Sequence, residues 1–271
     1  MNNEIILKFF ANYIESQLGI VYVEANYYQL EHRLVEIKTQ LGLENLEELY
    51  KKGQQGIDGQ FKVLLLDLAT NNETSFFRDI NIFKAFSQKI LQDKINENNN
   101  NLNIWSAASS SGQEIYSVLM EIDQMQEAYQ FHFDLNFLAS DVSEMILKRA
   151  QNGVYSQLDI QRGLPAKLLI KYFTKNDNDY WEFNHPIKRK VNFKKLNLLD
   201  TWGEIGTFDV IFCRNVLIYQ SVSNKIKIIG ELTKKLKPQG FLVLGAAESL
   251  FGLSDSYNQI AYSNAVFYQK K

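Results

Sequence analysis

The chain has 271 residues, 45% hydrophobic and 22% charged, with a formal net charge of -2. These proportions exclude a disordered or fibrous polypeptide and allow a full core plus one smaller domain, and the near-neutral charge argues against bulk nucleic-acid binding. The single cysteine, Cys213, excludes an internal disulfide framework. The opening residues lack the basic and apolar segments of a secretory signal, and apolar runs such as Val63 to Leu66 are far too short to span a bilayer, so a cytoplasmic protein that meets membranes only through a partner is expected.

From Asn2 to about Thr70, apolar residues recur at three- and four-residue spacing: Ile6, Phe9, Phe10, Tyr13 and Ile14; Leu30, Leu34, Ile37 and Leu41; Phe61, Leu64, Leu65 and Leu68. This is the signature of amphipathic helices packed together, with stops expected at Gly19, Gly42 and Gly53. A further helix is expected over Ile80 to Ile95, followed by a solvated loop from Asn96 to Asn101. Beyond it strands and helices alternate. Strands fall at Leu102 to Ala107, Leu135 to Ser140, Lys190 to Phe193 and Phe208 to Cys213, and helices at Gln113 to Tyr129, Ser143 to Gln151 and Val222 to Leu236. That order predicts a parallel sheet with right-handed crossovers. The turn Lys237-Pro238-Gln239-Gly240 predicts a closing hairpin of Gly240 to Leu244 with Ala261 to Gln269. Alternating aromatic and charged residues around Asn176 to Asp179 predict a small antiparallel insertion between Tyr172 and Lys195. The expected fold is therefore α/β: a small all-α domain over residues 1–70, then a doubly wound, mostly parallel Rossmann-like sheet over 71–271 with a β-subdomain at about 172–195.

In open α/β sheets ligands sit beyond the carboxyl ends of the strands. Here the strand ends carry polar groups: Ala107 to Glu114, Ser140-Asp141, Asn197-Leu198, and Arg214-Asn215 followed by Tyr219. The small-residue turn from Ala107 suits a nucleotide-like ligand at a helix N-terminus, yet with one glycine it also fits an ordinary strand-to-helix turn. Asp141 is equally suited to accept from vicinal ribose hydroxyls or to cap the following helix. The segment Thr70 to Asp79 is dense in recognition chemistry, although Thr74 as a cap, Phe76 and Phe77 as core and Arg78 as a surface charge would account for it too. His32, His132 and His185 are scattered, so no metal site is expected, and Cys213 reads as a core thiol.

Taken together, Asn72 to Arg78, Trp105 to Ser117, Ser140 to Asp141, Phe208 to Tyr219 and Leu236 to Glu248 resemble, in order, the chemotaxis-receptor glutamate methyltransferase (CheR) family. Asn-x-Thr-x-Phe-Phe-Arg and Phe-Cys-Arg-Asn-Val-x-Ile-Tyr are the specific motifs. The resemblance implies methyl transfer from S-adenosylmethionine to glutamate side chains in the cytoplasmic helical region of methyl-accepting chemotaxis receptors, leaving S-adenosylhomocysteine. It implies cofactor contacts by Asn72, Thr74, Arg78, Glu114, Asp141, Asn197, Leu198, Arg214 and Asn215, and catalytic positioning by Arg78 and Tyr219. Asp141 would hold the ribose, Asn197 and Leu198 the adenine, and Glu114 the ammonium group. The same chemistry on another signalling protein and a non-catalytic cofactor-binding module are the alternatives, and a monomer is expected.

The departures from the family pattern are Gln113, where an acid is common, and Ile115, where proline is usual. Gly245-Ala246-Ala247-Glu248 replaces a more polar Gly-His-Ser-Glu, which puts a hydrogen-bonding role of that loop in question. Residues 1–70 hold ten acids and six bases, a balance of -4. The basic docking face that the family places there is thus diluted; Arg33 and Lys38 fit a small basic spot, although a solvated helix face is the commoner reading of such a pair. The short turn at Asn176 to Asp179 predicts no receptor-tail peptide on the β-subdomain, and the groups Lys188-Arg189-Lys190 and Lys194-Lys195 fit a contact for an acidic partner or, at least as well, a charged strand edge that deters aggregation.

Overall fold

In a computed structural model that describes residues 3–271, the first part of the chain is helical. α1 (Asn3–Leu18), α2 (Tyr27–Gln40), α3 (Leu46–Gln55) and α4 (Gly59–Ala69) follow one another. Their apolar stripes meet in one core containing Ile6, Phe10, Ile14, Leu30, Leu34, Ile37, Phe61 and Leu65, as the spacing predicts. Gly19 and Gly42 follow α1 and α2 with φ of 69° and 70°, a backbone region glycine enters without a Cβ clash. Gly53 is a correction: it lies inside α3 and α3 stops at Gly56 instead. Its role is close packing, since a Cβ there would approach the Phe9 ring to 2.9 Å.

α5 (Ile80–Ala85) runs through a π-turn at Phe86–Leu91 into α6 (Gln92–Asn96), so the expected helix is present with a local bulge. The second part then alternates: β1 (Asn101–Ser106), α7 (Gln113–Tyr129), β2 (Asp134–Asp141), α8 (Glu144–Asn152), β3 (Val154–Tyr155), α9 (Gln157–Gln161), α10 (Ala166–Tyr172), β4 (Phe173–Lys175), β5 (Trp181–Phe183), β6 (Val191–Lys195), β7 (Phe208–Phe212), α11 (Val222–Lys235), β8 (Leu236–Val243), β9 (Tyr257–Tyr262) and β10 (Ala265–Lys270). Seven strands form one sheet in the order β6-β2-β1-β7-β8-β10-β9. The first five are parallel, and β10 runs antiparallel to β8 and β9. One sheet face packs on α5 and α7 through Phe83, Ile104, Leu119 and Phe137. The other packs on α11 through Trp105, Ile211, Ile228 and Leu232.

Two further expectations need correction. The expected antiparallel pairing of Gly240–Leu244 with Ala261–Gln269 is present, with Leu242 facing Tyr268, but the second strand is broken by Ser263 and Asn264, whose φ values of 45° and 62° make a tight turn that pairs β9 with β10. The residues before Gly240 belong to β8: Phe208 faces Leu236 and Val210 faces Phe241, so Lys237 to Gly240 bulge out of a parallel pair. The antiparallel insertion also starts earlier than 172. It consists of β3, β5 and β4, over Val154 to Phe183, while Val191–Lys195 is the edge strand of the main sheet.

At the N-terminal end of the strands, Asp209 joins neighbouring elements: it pairs with Lys94 and Lys237 at 2.8 Å each and accepts from the Asn103 backbone. Among the described residues no helix is long and apolar enough to cross a membrane.

Candidate active site

The sheet order reverses around β1, with β2 and β6 to one side and β7 and β8 to the other. A cleft opens beyond these strand ends, the place where such sheets take ligands. It encloses about 950 Å³ of empty space, solvent at its mouth included. Asn72, Thr74, Arg78, Glu114, Asp141, Asn197, Leu198, Arg214, Asn215 and Tyr219 all line it, so residues up to 147 positions apart share one wall.

Beyond β1, Ala107, Ala108, Ser109 and Ser110 offer only small side chains to the cleft. Buried Tyr155 holds this turn from behind, its Oη donating to the Ser111 carbonyl at 2.8 Å, and buried Tyr116 ties α7 to α8 by donating from Oη to the Ala150 carbonyl at 2.7 Å. Asp141, at the end of β2, accepts the backbone N–H of Ser110 at 2.9 Å and of Ser143 at 3.1 Å. Burial pushes its carboxyl above the usual aspartate range, against the opposing pull of these amides. It is not the helix cap: Ser143 performs that role by accepting from Ile146 N–H.

Arg214 extends from the end of β7 with its side chain only 2% exposed. Its Nη1 donates to Glu114 Oε2 at 2.9 Å, and its Nη2 donates to Asp79 Oδ2 at 2.7 Å and to the Arg78 carbonyl at 2.8 Å. Glu114 Oε1 accepts from Ser106 Oγ at 2.8 Å. Two carboxylates and one guanidinium thus leave this corner formally one charge negative.

After Cys213, whose N–H makes the last strand bond to Val243, the chain turns sharply, and Asn215 adopts a left-handed φ of 57°. Sequence reasoning missed what holds this turn. Glu248 Oε2 accepts from the N–H groups of Asn215 and Gly245 at 2.7 Å each, while Oε1 accepts from Val216, Leu217 and Ile218 at 2.8–3.3 Å. Five amides converge on one carboxylate, so the hydrogen-bonding role of that loop survives the loss of its polar neighbours, because the acid alone carries it. The available signal was an acid retained in an otherwise small-residue loop beyond a core strand.

The segment from Thr70 to Asp79 forms the opposite wall. Its competing readings are both partly met. Phe76 and Phe77 are buried, with the Phe76 ring edge-on to Tyr155 and Phe173. No helix starts at Thr74, which instead lines the cleft beside Arg78. Ser110 Oγ donates to the Asn72 carbonyl at 2.8 Å, and Asn71 Nδ2 donates to Tyr219 Oη at 2.7 Å. The N-terminal helices also reach the cleft, which the motifs did not suggest: Leu18 and Ile20 line it. Asn197 Nδ2 donates to the Gln17 carbonyl at 2.8 Å and Gln220 Nε2 to that of Leu18 at 3.0 Å, tying the end of α1 to the sheet.

The family model described as "CheR methyltransferase, SAM binding domain" matches residues 72–266. The chain is 37% identical over 265 residues to the chemotaxis protein methyltransferase Cher2 of Pseudomonas putida, covering 97% of this chain and 96% of that one. It is 37% identical to chemotaxis protein methyltransferase 1 of Pseudomonas aeruginosa, with the same coverage. It is 35% identical to the chemotaxis protein methyltransferase of Vibrio parahaemolyticus, covering 97% and 95%. A domain match over most of the chain and end-to-end relatives at this identity lead to one conclusion: the chain belongs to the CheR methyltransferase family.

Proposed function

We propose that this protein methylates glutamate side chains in the cytoplasmic helical region of chemotaxis receptors, acting in the cytoplasm. The observation that carries the reading is the convergence of all ten expected site residues on one cleft in a chain of this family.

The cleft fits S-adenosylmethionine. Ser109 Oγ is buried in its wall with no partner among the described residues, leaving a hydroxyl for a ligand. The small side chains from Ala107 to Ser110 let a ligand approach the backbone. Asp141 is held by amides with acceptor capacity to spare for ribose hydroxyls. Leu198 supplies apolar surface for the adenine, with Asn197 beside it bracing α1. The net negative corner of Glu114, Arg214 and Asp79 suits an ammonium group, and in this reading Arg214 acts by orienting Glu114. Asn72, Thr74 and Asn215 complete the polar wall.

When bound, the cofactor supplies a sulfonium methyl: transfer forms a carboxylate O–CH3 bond, breaks the S–CH3 bond and leaves the neutral thioether of S-adenosylhomocysteine. A glutamate, with an ordinary pKa near 4.3, is already ionised at neutral pH, so the protein needs no strong general base. Its contribution is alignment and exclusion of water. Arg78 faces the incoming carboxylate with positive charge. Tyr219, its hydroxyl oriented by Asn71, sets the position of the reacting oxygen.

The reading is tested by incubating the protein with S-adenosylmethionine and a soluble receptor cytoplasmic fragment and mapping methyl esters by mass spectrometry. Esters on fragment glutamates that disappear with Asp141→Ala support it. Cofactor binding without methylation of the fragment would refute the receptor substrate, and no cofactor binding at all would refute the site.

A further inference from the structure

On the sheet side of the cleft, Glu248 reaches along the turn after Cys213 as far as the Ile218 N–H, at 3.3 Å, one residue short of Tyr219. Tyr219 itself is gripped from the helical part of the chain, through two separate arms. In the first, the connector after α1 runs antiparallel to it: the Val21 N–H donates to the Tyr219 carbonyl at 3.0 Å, and Ile20 bridges Gln220. In the second, the connector after α4 supplies Asn71, whose Nδ2 donates to Tyr219 Oη at 2.7 Å.

That second bond has a fixed direction. Asn71 Oδ1 already accepts the Glu73 N–H at 3.3 Å, so the amide presents its NH2, a pure donor, to the phenol. Tyr219 Oη is therefore the acceptor in the pair, and its own proton is left for a group in the cleft, where the substrate carboxylate arrives. Where that O–H points depends on both arms, because the first sets the backbone of Tyr219 and the second its hydroxyl.

The arms are also joined to each other. Tyr22, next to Val21 in the first arm, donates from Oη to the carbonyl of Ala69 at 2.8 Å, at the end of α4 and two residues before Asn71. Arg33 of α2 donates from Nη1 to both the Tyr22 hydroxyl and the Ala69 carbonyl, and its guanidinium carbon lies 5.9 Å from the centre of the Tyr22 ring. The ring packs on the core of the helical part. The Tyr22–Ala69, Asn71–Tyr219 and Tyr219–Val21 bonds thus close a loop, with Tyr219 at one end and Tyr22, outside the cleft lining, at the other. A shift of about 1 Å at a reacting group can cost roughly 100-fold in rate, so the spacing of the arms bears directly on the reaction.

We infer that Tyr22 is a positioning residue for the methyl transfer: by fixing the spacing of the two arms it aims the Tyr219 hydroxyl at the substrate carboxylate. The inference rests on the proposed receptor-glutamate reaction and gives the helical part a share in its chemistry, exerted through Tyr219.

The test is the single-turnover rate of methyl transfer to a saturating soluble receptor cytoplasmic fragment, with cofactor affinity measured by calorimetry, in the parent, Tyr22→Phe, Tyr219→Phe and the double variant. Tyr13→Phe is the control, since that hydroxyl also donates to a carbonyl of the helical part, that of Ile57 at 3.4 Å, and belongs to neither arm. The expected result is a rate about tenfold lower in Tyr22→Phe, with cofactor affinity and the fragment KM within about twofold of the parent and the control unchanged. In the Tyr219→Phe background, which lacks the hydroxyl being aimed, Tyr22→Phe should cost less than about twofold. Asn71→Ala, which cuts the second arm and leaves Tyr22 in place, should show the same dependence on the Tyr219 hydroxyl. A parental rate in Tyr22→Phe overturns the inference. So does an equal loss in both backgrounds or in the Tyr13 control, which would make Tyr22 a support of the fold at large. A parent that binds cofactor but methylates no fragment defeats the substrate reading and the inference with it, a result told apart because it appears before any variant is made.

Discussion

The backbone N–H of Asn215 donates to Glu248 Oε2 at 2.7 Å, across 33 positions of sequence. With the four other amides on the same carboxylate, this bond shapes the turn that presents Arg214, Asn215 and Tyr219 to the cleft. β7 ends at Phe212 and Cys213 makes its last sheet bond, to Val243, so an internal acid does for the turn that follows what the sheet does for the preceding residues.

Replacing Glu248 by Ala should therefore harm both stability and the site. Uncompensated amides predict a loss of about 1.5–3 kcal/mol in unfolding free energy. Cofactor affinity should fall by about tenfold or more through the displaced Asn215. Glu248→Gln, which turns an NH2 toward donor groups, should recover only part of either loss. Chemical denaturation and calorimetry read the two effects separately, and a Glu248→Ala protein with parental values in both would remove the role assigned to this acid.

Asp141 predicts a pH dependence of binding. Burial raises its pKa in the folded protein, so on acidification it gains its proton at a higher pH than an exposed aspartate does. The ionised form is the one that accepts from two ribose hydroxyls. Cofactor affinity should accordingly weaken as the pH falls while exposed carboxylates are still charged. Asp141→Asn should bind about 10–100-fold more weakly at neutral pH and lose that pH dependence. Calorimetric titrations at several pH values give the comparison, and an identical pH profile in parent and variant would argue against Asp141 as the titrating group.

Arg214→Lys keeps the charge but cannot span Glu114 and Asp79 at once, since a single ammonium replaces a planar fork. The expected cost is about 2–4 kcal/mol, because breaking a buried ion pair strands its partner. Glu114→Gln in the same background should add less than it costs alone. A double-mutant cycle would show a coupling of about 0.5–3 kcal/mol, and strict additivity would mean that the two residues act independently.

Gly19 joins α1 to the cleft edge with φ 69°, and a Cβ there would fall 2.2 Å from Gln220 Oε1. Gly19→Ala should destabilise the protein by about 1–3 kcal/mol. Since Gln220 and Asn197 tie α1 to the cleft, it should also raise the cofactor KM more than it lowers kcat. Parental kinetics in this variant would show that α1 covers the cleft without shaping it.

Periodicity and residue type are local properties, and they carried the sequence a long way. The helical spacing of Ile6, Phe10 and Ile14 and the strand runs at Leu102, Leu135 and Phe208 identified an α-helical part and a parallel sheet, because burying an apolar face constrains every third or fourth residue in a helix and most residues in a core strand. The polar residues at the strand ends located the cleft for the same reason: nothing in a core strand calls for Asp141 or Arg214. Tertiary structure decided what depends on distant pairing. Whether Gly53 ends a helix or admits Phe9, whether β10 inserts between β8 and β9, and whether Glu248 meets solvent or five amides depend on segments tens of residues away. Such contacts leave no period in the chain, since the partner that satisfies each group is supplied by the folded neighbourhood and not by its adjoining residues.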